Sequence, residues 1–230
     1  MPTRSIIPIS PSLVGVAADV LKWAREFLGV VDERMLRPTS KGPKKAGAVC
    51  PFAKPSIEAD LFFQVFEPTV TAKTPRKEIV KVVRAYGKVL KGIPPEDETR
   101  LKTLLVVFPE LGKEHHATLS KVTTAAKDGF VKQGLMLAAF YPGCADSSYH
   151  NADFKVSQAP HPLIAIRYMA IHDIYFLASK REWFDEYSRI YGPSLRDTGT
   201  LEDHDKVFIG PYSEAREKWQ AYTKKRQAGA

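Results

Sequence analysis

The sequence predicts an α+β fold, with a small, mixed, mostly antiparallel sheet and helices packed largely on one of its faces. Short apolar runs rich in β-branched and aromatic residues predict strands over 61–66, 102–108, 135–141 and 163–169. Segments with helical periodicity separate the first three strands. The last two are joined by a loop and not by a crossover helix, which disfavours a doubly wound parallel fold.

The chain before the first strand divides into a helix and a connector. Apolar residues at helical spacing predict a helix over 13–34, with Ser10 or Ser12 as its cap. The next stretch, 37–47, holds two prolines, two glycines and four basic residues. Such a composition is typical of a flexible connector.

Cap signals locate the next two helices. Thr74 as the cap, a proline at the first helical position and Glu78 completing a capping box predict a helix over 74–90. Helical periodicity over 115–132, with Gly134 as the C-terminal stop, predicts the other.

The last part of the chain reads as two helices. We expect one from about His172 to Tyr191, with a break near Ser179, ended by the Gly-Pro pair at 192–193. A short helix over 213–225, with Ser213 as its cap, closes the chain.

The expected organisation is a core α+β domain over 48–192, preceded by a helix and basic linker over 1–47 and followed by an extension over 193–230. A chain of 230 residues, 44% of them hydrophobic and 26% charged, has the composition of a globular protein with a full core. It lacks an apolar run of the ~20 residues that cross a bilayer, and its N-terminus lacks the apolar region of a secretory signal. With two cysteines in all, we expect a cytoplasmic protein with reduced thiols.

The formal net charge of +8 owes much to the stretch 37–45 and to the tail 224–226. We interpret this charge as that of a soluble basic surface. Nucleic-acid binding is not favoured, because no motif interleaves basic residues with aromatics. Attraction of an anionic group, such as a substrate carboxylate or a haem propionate, is left open.

Several chemical classes are disfavoured by the motifs that the sequence lacks. It contains no glycine-rich dinucleotide motif, P-loop, Cys-x-x-Cys pair, His-Glu-x-x-His or Gly-x-Ser-x-Gly elbow. This argues against nucleotide-binding, zinc-finger, metalloprotease and α/β-hydrolase functions.

The loop between the last two strands carries the first group of candidate site residues. His150, Asn151 and His161 lie in it, and Tyr141 lies at its start. Long polar loops between core strands often have a function. A histidine there is a metal or haem ligand, a general base, or a hydrogen-bonded staple of the loop.

A second group surrounds the tripeptide Cys50-Pro-Phe52. Its cysteine is either a thiolate, suited to ligate haem iron, or a structural thiol packed against Phe52. Arg167 at a strand end needs an anionic partner, either Asp173 or a bound carboxylate or propionate. We therefore name Cys50 and His150 as candidate metal ligands, and Cys50, Phe52, His161 and Arg167 as candidate cofactor-binding residues.

Three motifs carry a family resemblance. Cys-Pro-Phe at 50–52, His-Asn-x-x-Phe at 150–154 and Pro-x-Pro-Leu-x-Ala-Ile-Arg-Tyr-Met at 160–169 resemble those of an uncharacterised domain family of bacteria and fungi. The resemblance covers about residues 48–192. More distantly, the layout resembles the YqcI/YcgG family, whose characterised members are haem-dependent oxygenases of amino groups in free amino acids. Tyr141 stands where that family tends to have histidine.

The resemblance implies a haem-dependent oxygenase or oxidase of specialised metabolism, acting on a small polar or amino-acid-like substrate. Cys50 or His150 would be the axial ligand, Arg167 would hold a carboxylate, and Tyr141 and Asn151 would line the distal pocket. The alternatives are a cofactor-free isomerase or lyase with His150 as base, and a non-catalytic domain that binds a small ligand. We count an electron donor and a second copy of the chain among the candidate partners, and neither nucleic acid nor a membrane.

Overall fold

The computed structural model describes residues 10–39 and 42–228. Residues 1–9, 40–41 and 229–230 lie outside the described residues. The expected absence of a secretory signal concerns the first of these ranges, and the second falls within the predicted connector. The chain forms two compact units. The first comprises the chain up to Arg37, Lys45–Phe130 and Leu135–Tyr168, and the second comprises Pro38–Lys44, Val131–Gly134 and the chain from Met169 onward.

The first unit is built on a four-stranded sheet, which confirms the predicted α+β class. Its strands lie in the order β3 (Phe62–Phe66), β4 (Thr103–Val107), β8 (Leu163–Tyr168) and β5 (Leu135–Phe140). β3 and β4 are parallel, whereas β8 is antiparallel to both β4 and β5. The sheet is therefore mixed and mostly antiparallel, as predicted.

One face of the sheet is covered by α3 (Arg76–Gly92) and α4 (Thr118–Val131). Leu104 and Val106 of β4 and Ile164 of β8 lie there, in one apolar cluster with the buried sides of both helices. These three side chains have no more than traces of solvent exposure. This face holds the larger part of the core.

The opposite face is covered by shorter elements. α1 (Val14–Trp23) continues as a π-helical turn, Ala24–Leu28, and α2 (Ala53–Glu58) follows the Cys-Pro-Phe tripeptide. Their buried side chains pack on Leu105, Val107 and Leu163 of the two central strands. Helices thus cover both faces of the sheet, whereas the sequence predicted them largely on one. Every residue of β4 is therefore buried, as expected for a strand with a continuous apolar sequence.

The predicted helix over 13–34 and the predicted connector over 37–47 are partly wrong. The helical segment starts with a 3₁₀ turn at Pro11 and ends at Leu28, and neither predicted serine caps it, since no side-chain bond caps the turn that follows Ser10. The next residues form a hairpin of β1 (Val31–Thr39) and β2 (Gly42–Ala48). The helical segment ends before Gly29, and the β-branched pair after it favours a strand.

Three predicted helix ends also differ from the structure. α3 starts at Arg76 with Pro75 as its cap residue, and the Thr74 hydroxyl accepts a bond from the Thr71 amide instead. α6 (Arg181–Arg196) continues through the Gly-Pro pair at 192–193, which is a kinking element and not an obligatory end. α7 begins at Ile209, four residues before the predicted cap.

The second unit contains α5 (Ile174–Leu177), α6 and α7 (Ile209–Ala228). The predicted break near Ser179 is confirmed, since α5 and α6 are separate helices. Tyr187 and Tyr191 of α6 donate hydroxyl bonds of 2.5 Å to the carbonyls of Ile171 and Met169, so they tie the helix to the segment that precedes α5. In the described part of the chain, no helix is both long enough and apolar enough to cross a membrane.

α2 ends in a left-handed cap at Asp60. The Leu61 amide bonds to the Ser56 carbonyl (2.8 Å) and the Asp60 amide to the Ile57 carbonyl (3.2 Å), while Asp60 has a φ of 58°. This is a Schellman arrangement, which usually has glycine at the left-handed position. It turns the chain directly from α2 into β3.

We expect Asp60→Val to lower the free energy of unfolding by roughly 1–2 kcal/mol relative to Asp60→Gly, because a β-branched side chain is strained in the left-handed region. Urea denaturation of the two variants measures this difference. Both variants lose the same carboxylate, so equal stabilities would contradict the assigned role of the cap.

Candidate functional site

The Cys-Pro-Phe tripeptide forms a turn between β2 and α2. The Cys50 amide donates a 2.8 Å bond to the carbonyl of Leu28, which joins this turn to the end of the π-helical segment. The Cys50 thiol is free and partly exposed, and it borders the apolar cluster under α1. The thiol is therefore neither buried in the core nor fully solvated.

Arg37 of β1 provides the charge beside this thiol. Its Nη2 donates bonds of 2.6 and 3.3 Å to the carbonyls of Ala48 and Val49, the two residues before Cys50. Burial lowers the pKa of Arg37, and the charge of an ionised Cys50 opposes that change. A Cβ at Gly47 would lie 2.7 Å from Cδ of Arg37, so this glycine makes room for the guanidinium. The arrangement holds a cation against the two residues before Cys50, close enough for the charges of the two groups to interact.

Phe52 and Arg167 complete what we call the Cys50 cluster: Cys50, Phe52, Arg37 and Arg167. The guanidinium carbon of Arg167 lies 5.5 Å from the centre of the Phe52 ring, within the range of a cation–π contact. In the sheet, Arg167 pairs with Thr103 and Met136, on the face covered by α1 and α2. Its Nη1 donates to the Tyr168 carbonyl at 2.9 Å. The structure thus brings three predicted cofactor-binding residues into one region.

Tyr141 lies elsewhere. It packs with Cys144 in the apolar cluster on the α3 and α4 face, and its hydroxyl is 3.1 Å from the Ser120 hydroxyl. Burial raises the pKa of Tyr141 and likewise that of Cys144. Arg167 points to the opposite face of the sheet, so the structure does not bring Tyr141 to the Cys50 cluster.

His150 and Asn151 belong to a small hairpin that the prediction treated as loop. β6 (Ser147–Ser148) and β7 (Asn151–Lys155) pair in antiparallel fashion, and His150 lies in the turn with its ring 5.3 Å from that of Tyr149. The Asn151 amide donates to the Arg34 carbonyl of β1 at 3.2 Å. The Arg34 guanidinium lies 3.9 Å above the ring of Phe154. The hairpin therefore packs on β1, the strand that also carries Arg37.

His161 is at the far end of β8. Its Nε2 lies 3.1 Å from the Asp19 carboxylate of α1, which makes it a bridge between the start of β8 and α1. Six residues of extended chain separate His161 from Arg167, which corresponds to roughly 20 Å. His161 and Tyr141 therefore lie apart from the Cys50 cluster, whereas Phe52, two residues after Cys50, contacts Arg167.

Arg37 was missed as a site residue by sequence reasoning, which assigned it to the connector. The available signal was the β-branched pair after Gly29, which predicts a strand and hence a hairpin that folds back toward Cys50. Without the hairpin, nothing in the sequence places residue 37 beside residue 50.

The sequence profile of a domain of unknown function, DUF6875, matches residues 17–202. This segment extends at both ends beyond 48–192, the part that the motifs cover, and includes most of α1. No curated protein and no solved structure matches the chain.

The ion pair that supports the hairpin contact is testable. Arg34 Nη2 and Nε contact the two Asp32 oxygens at 2.6 and 2.9 Å, and chiefly this side-chain bond lowers the pKa of Asp32 from 3.8 to about 2. A lowered carboxyl pKa means that the pair stabilises the fold fully above pH 3.8 and loses this effect as the pH falls toward 2. The contribution is small, because the Arg34 side chain is 60% exposed.

We expect Arg34→Gln to return the pKa of Asp32 toward 3.8 and to weaken the contact with Phe154, since both depend on the guanidinium. A carboxyl titration by NMR measures the first effect and ring shifts of Phe154 the second. Arg76→Gln, which removes an exposed arginine at the start of α3, is the control. An unchanged Asp32 titration in Arg34→Gln would rule out this cause.

Proposed function

The chain belongs to the DUF6875 domain family, whose match takes in every residue of the Cys50 cluster, and we propose that this cluster makes it a haem-dependent oxygenase or oxidase. The substrate would be a small polar molecule. The observation that carries the proposal is the partly exposed free thiol of Cys50 beside the Arg37 guanidinium. A cation next to a sulfur is complementary to a thiolate, the form of cysteine that ligates iron.

The donor set suits haem better than a metal held by side chains alone. Among the described residues, no three His, Cys, Asp or Glu side chains form a group that would hold a metal ion. A site made only of side chains usually needs three or four such ligands. Haem brings its own nitrogen ligands and takes one or two from the protein, and Cys50 is able to supply one.

The other members of the cluster have roles that suit the same group. Arg37 has its Nη2 occupied by two backbone carbonyls, while its Nε and Nη1 make no hydrogen bond within the described chain. Its charge favours a propionate in the neighbourhood of Cys50. The Phe52 ring, supported by Arg167, offers a flat apolar surface next to the ligand sulfur.

The distant resemblance to the YqcI/YcgG family supports the same choice of cofactor. Tyr141 stands where that family tends to have histidine, and it is buried on the other face of the sheet. Cys50 would therefore be the residue that ligates the haem iron. His150 and Asn151 are proposed to act on the substrate side, because their hairpin packs on the strand that carries Arg37.

Within this proposal, bound haem supplies the redox and dioxygen chemistry. The chain's own residues would hold and surround it. Cys50 would ligate the iron, Arg37 would neutralise the charge of a propionate, and the apolar side chains under α1 would exclude water from the sulfur side. An oxygenase takes its oxidising equivalents from dioxygen and needs electrons to reduce it, so an electron donor is a partner that this proposal implies.

We expect protein purified from cells supplied with a haem precursor to show a Soret band and stoichiometric iron. Cys50→Ala should lose the band or shift it, because the axial sulfur is gone, whereas the matched variant Cys144→Ala should keep it. Cys144 is fully buried in the other apolar cluster, so this control removes a thiol without touching the proposed ligand. Absence of a Soret band in the fully supplemented wild type would overturn the proposal.

We expect Arg37→Gln to weaken haem binding about tenfold, the effect of losing one charge-assisted contact. Haem titration followed by absorbance measures the change, with Arg100→Gln as an exposed control in the same unit. Equal affinities of the two variants would show that Arg37 does not contact the cofactor. Circular dichroism verifies that Arg37→Gln folds.

A further inference from the structure

A separate cavity of about 730 Å³ lies beside α2 in the first unit. Its walls come from the π-helical turn, the start of β1, α2 and the start of β3. Its volume is in the range of small-molecule sites. Neither Cys50 nor any other member of the Cys50 cluster lines it.

The body of the cavity is apolar. Val30, Val31, Ile57 and Phe62 line it. Val30 and Val31 are 48% and 64% exposed, so this apolar surface is open to solvent. Exposed apolar surface that is concave and bordered by charges is typical of a ligand site.

Four charged side chains line the cavity, and their formal charges cancel: Arg25 and Lys54 are cationic, and Glu58 and Asp60 are anionic. Lys54 and Glu58 form an ion pair with each other at 3.8 Å. Arg25, on the π-helical turn, is exposed and makes no ion pair or side-chain hydrogen bond with any of the described residues. It is therefore the cation that is available to a ligand.

The cavity walls are held in place before any ligand binds. A Cβ at Gly29 would lie 3.2 Å from the Lys54 Cβ, so the π-helical turn and α2 meet at close range there. On the other side, the Schellman cap at Asp60 fixes the passage from α2 to β3. A preformed pocket lowers the entropy lost on binding.

We infer that this cavity binds a small amphipathic carboxylate, with its apolar body against Val30, Val31 and Phe62 and its carboxylate on Arg25. The planar guanidinium matches a carboxylate in geometry and charge. A phosphate dianion is disfavoured, because Glu58 and Asp60 also line the cavity and would repel the second charge. The inference is independent of haem binding by Cys50.

The test uses the full chain without added haem and octanoate as the probe, followed by amide chemical shifts in NMR. We expect octanoate to shift the amides of Gly29, Val31 and Ile57, and octanol, which lacks the charge, to bind more weakly. Arg25→Gln should weaken octanoate binding about fivefold, as for an exposed ion pair. Val31→Trp should abolish it, because the larger side chain fills the cavity from an exposed position.

Arg76→Gln is the matched control, since it removes another exposed arginine, from α3 on the other face of the sheet. It should leave octanoate affinity unchanged. Shifts confined to residues outside the cavity, or equal affinities of wild type and Arg25→Gln, would overturn the inference. Because both variants keep Cys50 and Arg37, either outcome leaves the Soret test of the proposed function unaffected.

Discussion

The first unit depends on the burial of β4 and β8 from both sides. Leu104, Val106 and Ile164 face α3 and α4, and Leu105, Val107 and Leu163 face α1 and α2. Burying such side chains on both faces contributes about 1.5–3 kcal/mol for each of them relative to exposure. The face under α1 is covered by short elements only, so it needs the turn at Cys50 and the π-helical segment to complete its cover. The position of the thiol therefore follows from the requirement to close the second face of the sheet.

That requirement also explains the chemistry available at the turn. A residue that closes an apolar face at its edge is half-buried, and Cys50 has this intermediate exposure. The hairpin of β1 and β2 returns the chain from Arg37 to Cys50 and brings a guanidinium to the same edge. A half-buried thiol beside a cation is suited to ligate iron or another electrophilic centre. The same α2 that follows this turn forms one wall of the Arg25 cavity. This six-residue helix therefore lies between two candidate sites. One has a sulfur near a cation, and the other has an apolar cavity bordered by a cation.

Several elements were predictable because their signals are local. The strands of the sheet are short apolar runs bounded by proline and glycine, and the break between α5 and α6 coincides with polar residues near Ser179. The predicted caps at Thr74 and Ser213 were wrong because a cap residue stabilises a helix by only about 1 kcal/mol. Tertiary contacts outweigh a local preference of that size. The hairpin of β1 and β2 was missed because its glycines and lysines have low strand propensity, and its strand pairing compensates for that.

The sequence alone determined the α+β class and the four strands of the sheet, and it named Cys50, Phe52 and Arg167 as candidate site residues, because each of these rests on residue type and on neighbours in the chain. Only the tertiary structure decided that Arg37 lies beside Cys50, that Tyr141 faces the other side of the sheet, and that Arg25 borders a cavity. The physical reason is that side chains far apart in sequence meet only through sheet order and helix packing. No local pattern encodes which face of the sheet, or which end of a strand, a given side chain will share with another.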